Sequence, residues 1–510
     1  MILQNGVVRT MAPSLPTARA LSIAGERIAG GVGTHEAALP GHDVVNLGGR
    51  CVLPAFSDAH VHFPTWSLAQ TQASLDGAAS LAEALARVRA YGETLAPGRW
   101  LRGTGWRDDG WEAPPTRQAL DEITGERPAA LWAKDYHTLW LNTAALAVAA
   151  GALEAPDGIV ERDRAGEPTG ILREEAAWEF RRHVHTSSDE WVEATRAGIK
   201  IAHRRGVAAV HDKDGWLGAP GIFQRIAAAE GLTLRVWCSV PHAQVEDLAA
   251  LGLRSGIGDD FLRIGYLKAF MDGALGSHTA LMLDGSGVSI TSGEELADIV
   301  RAGARAGWPV SVHAIGDRAN REALDAFAAT RDEWAPLGLR PRVEHAQCVA
   351  PEDLPRFAAL GVACSVQFSH APSDRDLADR FWAGRTEGAY AYRSLWESGA
   401  LVANGSDAPV EELDPLAGIC AGVLRTIDER PAWHPEQAVS VEQALIASTV
   451  NPAWLAGDEW RRGKLLPGYL ADLVVLDRDP LACEPEELRD VKVVATMVGG
   501  RWVHNPPPWD

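Results

Sequence analysis

Eight short strand-like runs, most of them apolar and separated by helix-like sequence, constrain this chain more than any other feature. They lie at residues 50–59, 206–210, 234–240, 263–271, 308–312, 342–344, 362–366 and 400–403. The apolar spacing predicts helices between them, most clearly over 190–205, 222–230, 294–306 and 318–331. Strands alternating with helices favour a parallel sheet, because a parallel connection needs a crossover about as long as a helix. Eight such strands are the count for a closed (β/α)8, TIM-like barrel, which makes this an α/β chain. An open doubly wound sheet is the alternative, weakened because no G-x-G-x-x-G follows an early strand.

Two regions depart from the alternation. Between about 63 and 188 there are far more residues than one strand-to-helix loop needs, so this stretch is expected as an insertion after barrel strand 1. This stretch and the residues just past it hold Trp66, Trp100, Trp106, Trp111, Trp132, Trp140, Trp178 and Trp191. Such residues form a small core of their own or, for a few of them, line a substrate pocket. Both chain ends instead carry short strands between glycine-rich turns, at 7–8, 20–23, 27–28 and 44–47 and again at 471–476, 491–498 and 501–504. The expected layout is a small β-sandwich built from 1–50 and 466–510, with the barrel at 51–465.

The 510 residues suit one large domain with a smaller one. A formal net charge of −20 argues against nucleic acid or an anionic membrane as partner and leaves a small-molecule substrate as the expectation. No basic stretch followed by an apolar run opens the sequence, and no apolar segment approaches the roughly 20 residues that span a bilayer. The six cysteines are widely spaced, with no CxxC pair, and suit reduced thiols in the cytoplasm. A homodimer is expected only because dimers are common.

The strongest chemical signal is Asp58-Ala59-His60-Val61-His62. In a strand, residues two apart face the same side, so His60 and His62 can address one ion, with Asp58 on the same face below them. His313, His345 and Asp407 fall at the ends of the fifth, sixth and eighth runs. Taken singly, each histidine is more often a hydrogen-bonded surface residue. In a closed barrel, however, the C-terminal ends of the strands converge on one mouth. Lys268 sits inside the apolar run Ile264-Gly265-Tyr266-Leu267-Lys268-Ala269-Phe270, where an unpaired ammonium is costly. Two readings of it stay open: a salt bridge to a buried acid such as Asp272, or carboxylation by CO2 to a metal-bridging carbamate.

Motifs running nearly end to end then carry a resemblance. They include Leu53-Pro54-Ala55-Phe56-Ser57-Asp58-Ala59-His60-Val61-His62, Asp135-Tyr136-His137-Thr138-Leu139-Trp140-Leu141-Asn142 and Gly166-Glu167-Pro168-Thr169-Gly170. Met271-Asp272-Gly273-Ala274-Leu275-Gly276-Ser277, His313-Ala314-Ile315-Gly316-Asp317, Glu344-His345-Ala346-Gln347 and Gly405-Ser406-Asp407-Ala408-Pro409 belong to the same set. So do the runs 451–453 and 468–473. The sequence resembles the amidohydrolase superfamily and, within it, the YtcJ-like branch (amidohydrolase family 3), which includes hydrolases of N-substituted formamides. The resemblance implies a barrel capped by a β-sandwich from both chain ends. It also implies one or two divalent metals, zinc best fitting the donors, held by His60, His62, Lys268, His313, His345 and Asp407. His278 stands where the family often has arginine, and with His370, Trp106 and Asp272 it is a candidate substrate contact.

The expected chemistry is hydrolysis of a C–N bond of amide or formamide type. A bound divalent ion lowers the pKa of water to roughly 7, and Asp407 is expected to relay the proton to the leaving nitrogen. Asp58 is expected to orient a ligand histidine from behind. Two alternatives keep the barrel: a deaminase or cyclic-amide or lactone hydrolase using the same site, and a non-catalytic small-molecule-binding protein.

Overall fold

A computed structural model describes residues 1–33, 43–148, 151–156, 158–180 and 186–509. The remaining positions of the expected terminal and inserted regions lie outside the described residues.

The eight runs form eight neighbouring strands of one sheet: β1 (Phe56–Val61), β2 (Val207–Asp212), β3 (Arg235–Pro241), β4 (Leu262–Phe270), β5 (Val310–Ala314), β6 (Arg342–His345), β7 (Ala363–Val366) and β8 (Val402–Asn404). Every neighbouring pair from β1 to β8 is parallel. The two edges then meet. The amide of Asp407 donates to the carbonyl of His60 at 2.7 Å, and that of His62 to the carbonyl of Ala408 at 2.9 Å. The sheet is thereby a nearly closed barrel, and these two bonds bring the ends of β8 and β1 to one place.

The strand period of two sorts side chains between layers. In β4, Leu267 and Ala269 pack outward with Leu296, Val300 and Ala304 of the helix Gly293–Ala306. Tyr266 and Lys268 point to the interior, where the Tyr266 ring faces the Arg342 guanidinium at 4.3 Å. The helices begin where their caps dictate. Ser187 with Glu190, and Ser292 with Glu295, form capping boxes ahead of Ser188–Arg204 and Gly293–Ala306.

The run 50–59 divides between two sheets. Cys51–Pro54 pairs antiparallel with Leu473–Leu476 and parallel with Val7–Arg9, whereas β1 begins only at Phe56. An apolar run shows that it is buried without showing against which partner. The chain ends build two sheets, one containing Arg27–Gly33, Ala20–Ala24, Ile2–Gln4 and Val44–Asn46, the other running from Arg501–His504 to Thr17–Ala18 through Cys51–Pro54. They share an apolar core that includes Leu3, Leu21, Ile28, Leu47, Val52, Leu473, Val475 and Met497.

Between β1 and β2 stands a six-stranded sheet, ordered Gly158–Arg162, Pro168–Glu174, Thr138–Leu141, Ala129–Ala133, Leu101–Trp106, Ala73–Ser74. Trp106 and Trp140 fill one of its cores with Leu75, Leu120 and Leu131, and Trp111 packs against it. Trp100 and Trp132 pack against another, while Trp66 and Trp191 belong to the barrel's outer core. Arg107 meets Asp374 at 2.8 Å and Lys134 meets Glu411 at 3.1 Å, tying this sheet to the helix His370–Phe381 after β7 and to the loop after β8. Among the described residues no helix is long and apolar enough to cross a membrane.

Candidate active site

A cavity of about 730 Å³ lies between the barrel mouth and the six-stranded sheet. His60, His62, Lys268, His313, His345, His370 and Asp407 line it from the barrel side, and Trp106, His137 and, from the helix Glu175–Phe180, Trp178 line it from the side of the sheet. His60, His345 and Asp407 each offer a ligand atom within 4.8 Å of the others. His60 Nε2 lies 3.2 Å from Asp407 Oδ1, and His62 Nε2 3.5 Å from the same oxygen. The ring centres of His345 and His313 are 4.4 Å apart.

Four of the barrel histidines each commit one ring nitrogen to a protein acceptor. His60 Nδ1 donates to Glu344 Oε2 at 2.7 Å, and His62 Nδ1 to Asp214 Oδ1 at 2.9 Å. His345 Nδ1 donates to Gln367 Oε1, and His313 Nε2 to the carbonyl of Gly273, both at 2.9 Å. In a neutral imidazole the other nitrogen is then the unprotonated one, the form that ligates a metal. Burial favours that neutral form, pushing His60, His313 and His345 well below the usual histidine range. His60 Nε2 is buried without a hydrogen-bond partner among the described residues. Four imidazoles so oriented, with a carboxylate among them, fit a divalent ion of zinc type.

Beneath His60 lies a network of buried charges. Burial opposes the Glu344 anion, but Arg342, Lys213 and His60 outweigh it and hold the carboxyl well below its ordinary range. Arg342 Nε and Lys213 Nζ both reach Glu344 Oε1 at 2.8 Å. Burial also lowers the Lys213 ammonium to about 7. None of Glu344, Lys213, Arg342, Asp214 or Gln367 was assigned a role from sequence. The signal was present in His211-Asp212-Lys213-Asp214, four ionisable residues in a row at the end of a barrel strand.

Lys268 does not pair with Asp272. Its ammonium is buried with no hydrogen-bond partner among the described residues and lies 4.6 Å above the Phe270 ring, and burial lowers it to about 8. Asp272 is instead held by the amides of Leu281, Ile315 and Gly316 and does not line the cavity. Burial raises the Asp407 carboxyl to about 8, with Lys268 acting against the rise. His345 (φ 75°), Ala346 (φ 44°) and Asp407 (φ 58°) all occupy the left-handed region, at a cost of about 1–3 kcal/mol each for residues other than glycine.

The other candidates divide. Asp58 touches no ligand ring: its carboxylate accepts from the amides of His60 and Ser406, joining β1 to the loop after β8. Glu344 takes the orienting part expected of it. His278 is exposed, packs on Phe381 with centroids 3.9 Å apart and the rings tilted by 42°, and does not line the cavity; its loop turns outward at φ 61°. His370 accepts at Nδ1 from Gln347 Nε2 at 2.9 Å, so its proton sits on Nε2, 3.9 Å from Asp407 Oδ2. That makes it a donor toward the cavity, opposite in sense to the other barrel histidines. Trp106 lines the cavity while its Nε1 donates to the carbonyl of Leu131.

Comparison with known proteins finds relatives over nearly the whole chain. The amidohydrolase family model matches residues 43–504. The putative amidohydrolase YtcJ of Bacillus subtilis is 31% identical, covering 91% of this chain and 91% of its own length. The N-substituted formamide deformylase of Arthrobacter pascens is 28% identical over 98% of this chain and 97% of its own. The crystal structure of an uncharacterized metal-dependent hydrolase from Pyrococcus horikoshii superposes with a TM-score of 0.78 at 27% identity, covering 95% of this chain and 99% of that one. The protein belongs to the amidohydrolase family, and by family and fold it is a metal-dependent hydrolase.

Proposed function

We propose that the protein hydrolyses a C–N bond of amide or formamide type in a small molecule. The observation that carries this reading is the common orientation of His60, His62, His313 and His345, each with one nitrogen committed to the protein. With Asp407 and Lys268 they would hold one or two divalent ions, zinc fitting the donor set best. Such an ion supplies water of lowered pKa and polarises a carbonyl.

The chain's own residues do the rest. Asp407 takes a proton on its carboxylate and returns it to the leaving nitrogen. His370 donates its Nε2 proton to an oxygen of the substrate. Carboxylation of Lys268 would convert a buried, unpartnered ammonium into an anionic ligand, removing the desolvation cost of the cation. Apolar walls at Trp178, Phe270 and Leu377 exclude water from the polar end.

We read the two terminal sheets as one β-sandwich of residues 1–50 and 466–510 joined by the strand Cys51–Pro54, and 63–188 as an insertion into a barrel whose first strand begins at Phe56. Six unpaired cysteines favour the cytoplasm, and the net charge of −20 a small-molecule partner rather than nucleic acid or membrane. A homodimer is carried as the commonest assembly.

Metal analysis of the purified chain, joined to a screen of formamides, N-acyl amines and cyclic amides, tests the reading. Bound metal with amine release from an acyclic amide is the expected result. Ammonia from an amine-bearing heterocycle would make it a deaminase. A metal-free protein with a free amine at Lys268 would favour a non-catalytic binding protein.

A further inference from the structure

The cavity wall opposite the barrel carries one polar side chain unlike its neighbours. His137 is buried, and its Nδ1 meets Glu174 Oε2 at 2.7 Å. Its ring lines the cavity, and Nε2 has no hydrogen-bond partner among the described residues. The second oxygen of Glu174 accepts from Thr279 Oγ1 at 2.7 Å. Thr279 lies in the loop after β4, where its hydroxyl also accepts from the amide of Ala274. In the same loop the carbonyl of Gly273 accepts from His313. The imidazole is thus keyed to the loop that orients a barrel histidine, and its ring centre lies 6.1 Å from that of His313.

The backbone adds a second, independent observation. Tyr136, immediately before His137, has φ 57°, and Glu174 has φ 54°. Both partners of the pair therefore depend on non-glycine residues in the left-handed region, a conformation that clusters where a side chain must be aimed. A histidine that only fastened the sheet to the barrel would have no reason to present its second nitrogen to the cavity.

We propose that His137 is a substrate-contacting residue: its Nε2 hydrogen-bonds an oxygen of the substrate from the wall facing the barrel histidines, and Glu174 positions the ring for that contact. The inference rests on the reading of the barrel cluster as the metal site and deepens it. The substrate is then a small molecule whose reacting group carries an oxygen reachable from both walls, as an acyl group or its tetrahedral, oxyanionic form does. Residues outside the barrel thereby belong to the site.

The two ring nitrogens can be separated by substitution. His137→Asn keeps a nitrogen facing Glu174 and removes the one facing the cavity, whereas His137→Gln does the reverse. Inorganic phosphate, a tetrahedral oxyanion, is titrated calorimetrically into the zinc-loaded full chain. Expected is phosphate binding roughly tenfold or more weaker in H137N, as for loss of one hydrogen bond to a charged group, with zinc content unchanged and a smaller fall in Tm than in H137Q, because the hydrogen bond to Glu174 is kept and only its charge is lost. H137Q should keep phosphate affinity within about twofold while its Tm falls, because only the contact to Glu174 is lost. Equal affinity in H137N and the parent, or no phosphate binding by the parent at millimolar concentration, overturns the proposal. Zinc content of the parent reports separately on the barrel cluster. Zinc bound with phosphate indifferent to H137N sinks this inference alone, and absent zinc with phosphate dependent on His137 sinks the metal reading alone.

Discussion

The terminal sheets and the barrel mouth are both buried, but they are built from opposite materials. Between the two terminal sheets the core is Leu3, Leu21, Val52, Leu473, Val475 and Met497, side chains whose burial stabilises without further condition. At the mouth of the barrel the buried groups are His60, Lys213, Lys268, Arg342, Glu344, His345 and Asp407. Each of these loses hydration on burial, a cost that only particular partners offset and that no hydrogen-bond partner among the described residues offsets for Lys268, so the region contributes little net stability. The difference teaches that apolar cores, the terminal one and the larger one around the barrel, hold the fold together, while the mouth retains a costly arrangement for its chemistry.

Substitutions can break or sharpen that contrast. The largest effect on turnover is expected from Asp407→Asn, with a loss of roughly 10²–10⁴-fold in kcat for a residue that relays a proton. Near-normal turnover with metal still bound would remove that role. In the terminal unit, Leu473→Ala should lower stability by about 2–5 kcal/mol in denaturant unfolding while metal content per folded chain stays constant. Metal loss in that variant would show that the two regions are not independent. Glu344→Gln should weaken zinc binding by roughly 10–100-fold in a chelator competition, since the acceptor that sets the His60 tautomer is changed.

A smaller effect separates the regions by pH. Burial opposes the charges of the His137–Glu174 pair, but each partner outweighs it, raising His137 from 6.5 to about 9 and lowering Glu174 from 4.5 to about 2. The Glu174 contribution is present above pH 4.5 and lost as pH falls toward about 2; the His137 contribution is present below pH 6.5 and lost as pH rises through about 9. The Tm difference between the parent and Glu174→Gln should therefore be widest between about pH 4.5 and 6.5 and narrow on both sides. For Leu473→Ala the difference should not vary with pH. The smallest effect belongs to His278→Ala, with kcat/KM expected within about twofold of the parent because the ring packs on Phe381 outside the cavity. A larger loss would return that loop to the site.

Most of the barrel is legible from spacing alone, because a strand's period is local: every one of the eight runs becomes a neighbouring strand. Legible too is the convergence of His60, His62, His313, His345 and Asp407 on one cavity, since parallel strands carry their C-terminal ends to one mouth. The direction in which a loop side chain points is another matter. His278 turns outward and Asp272 turns to backbone amides, although both stand in the same motif-rich stretch.

What the sequence by itself determined is therefore the count and order of the barrel strands and the identity of the groups at their ends. Only the tertiary structure decided that Glu344, 284 positions away, sets the tautomer of His60, and that Glu174 and Thr279, 105 positions apart, aim His137 at the cavity. It also decided where the run 50–59 divides between sheets. The reason is physical. Strand and helix periods are written in neighbouring residues, whereas a hydrogen bond between distant segments depends on the closure of the barrel and the docking of the sheet upon it, which no local pattern encodes.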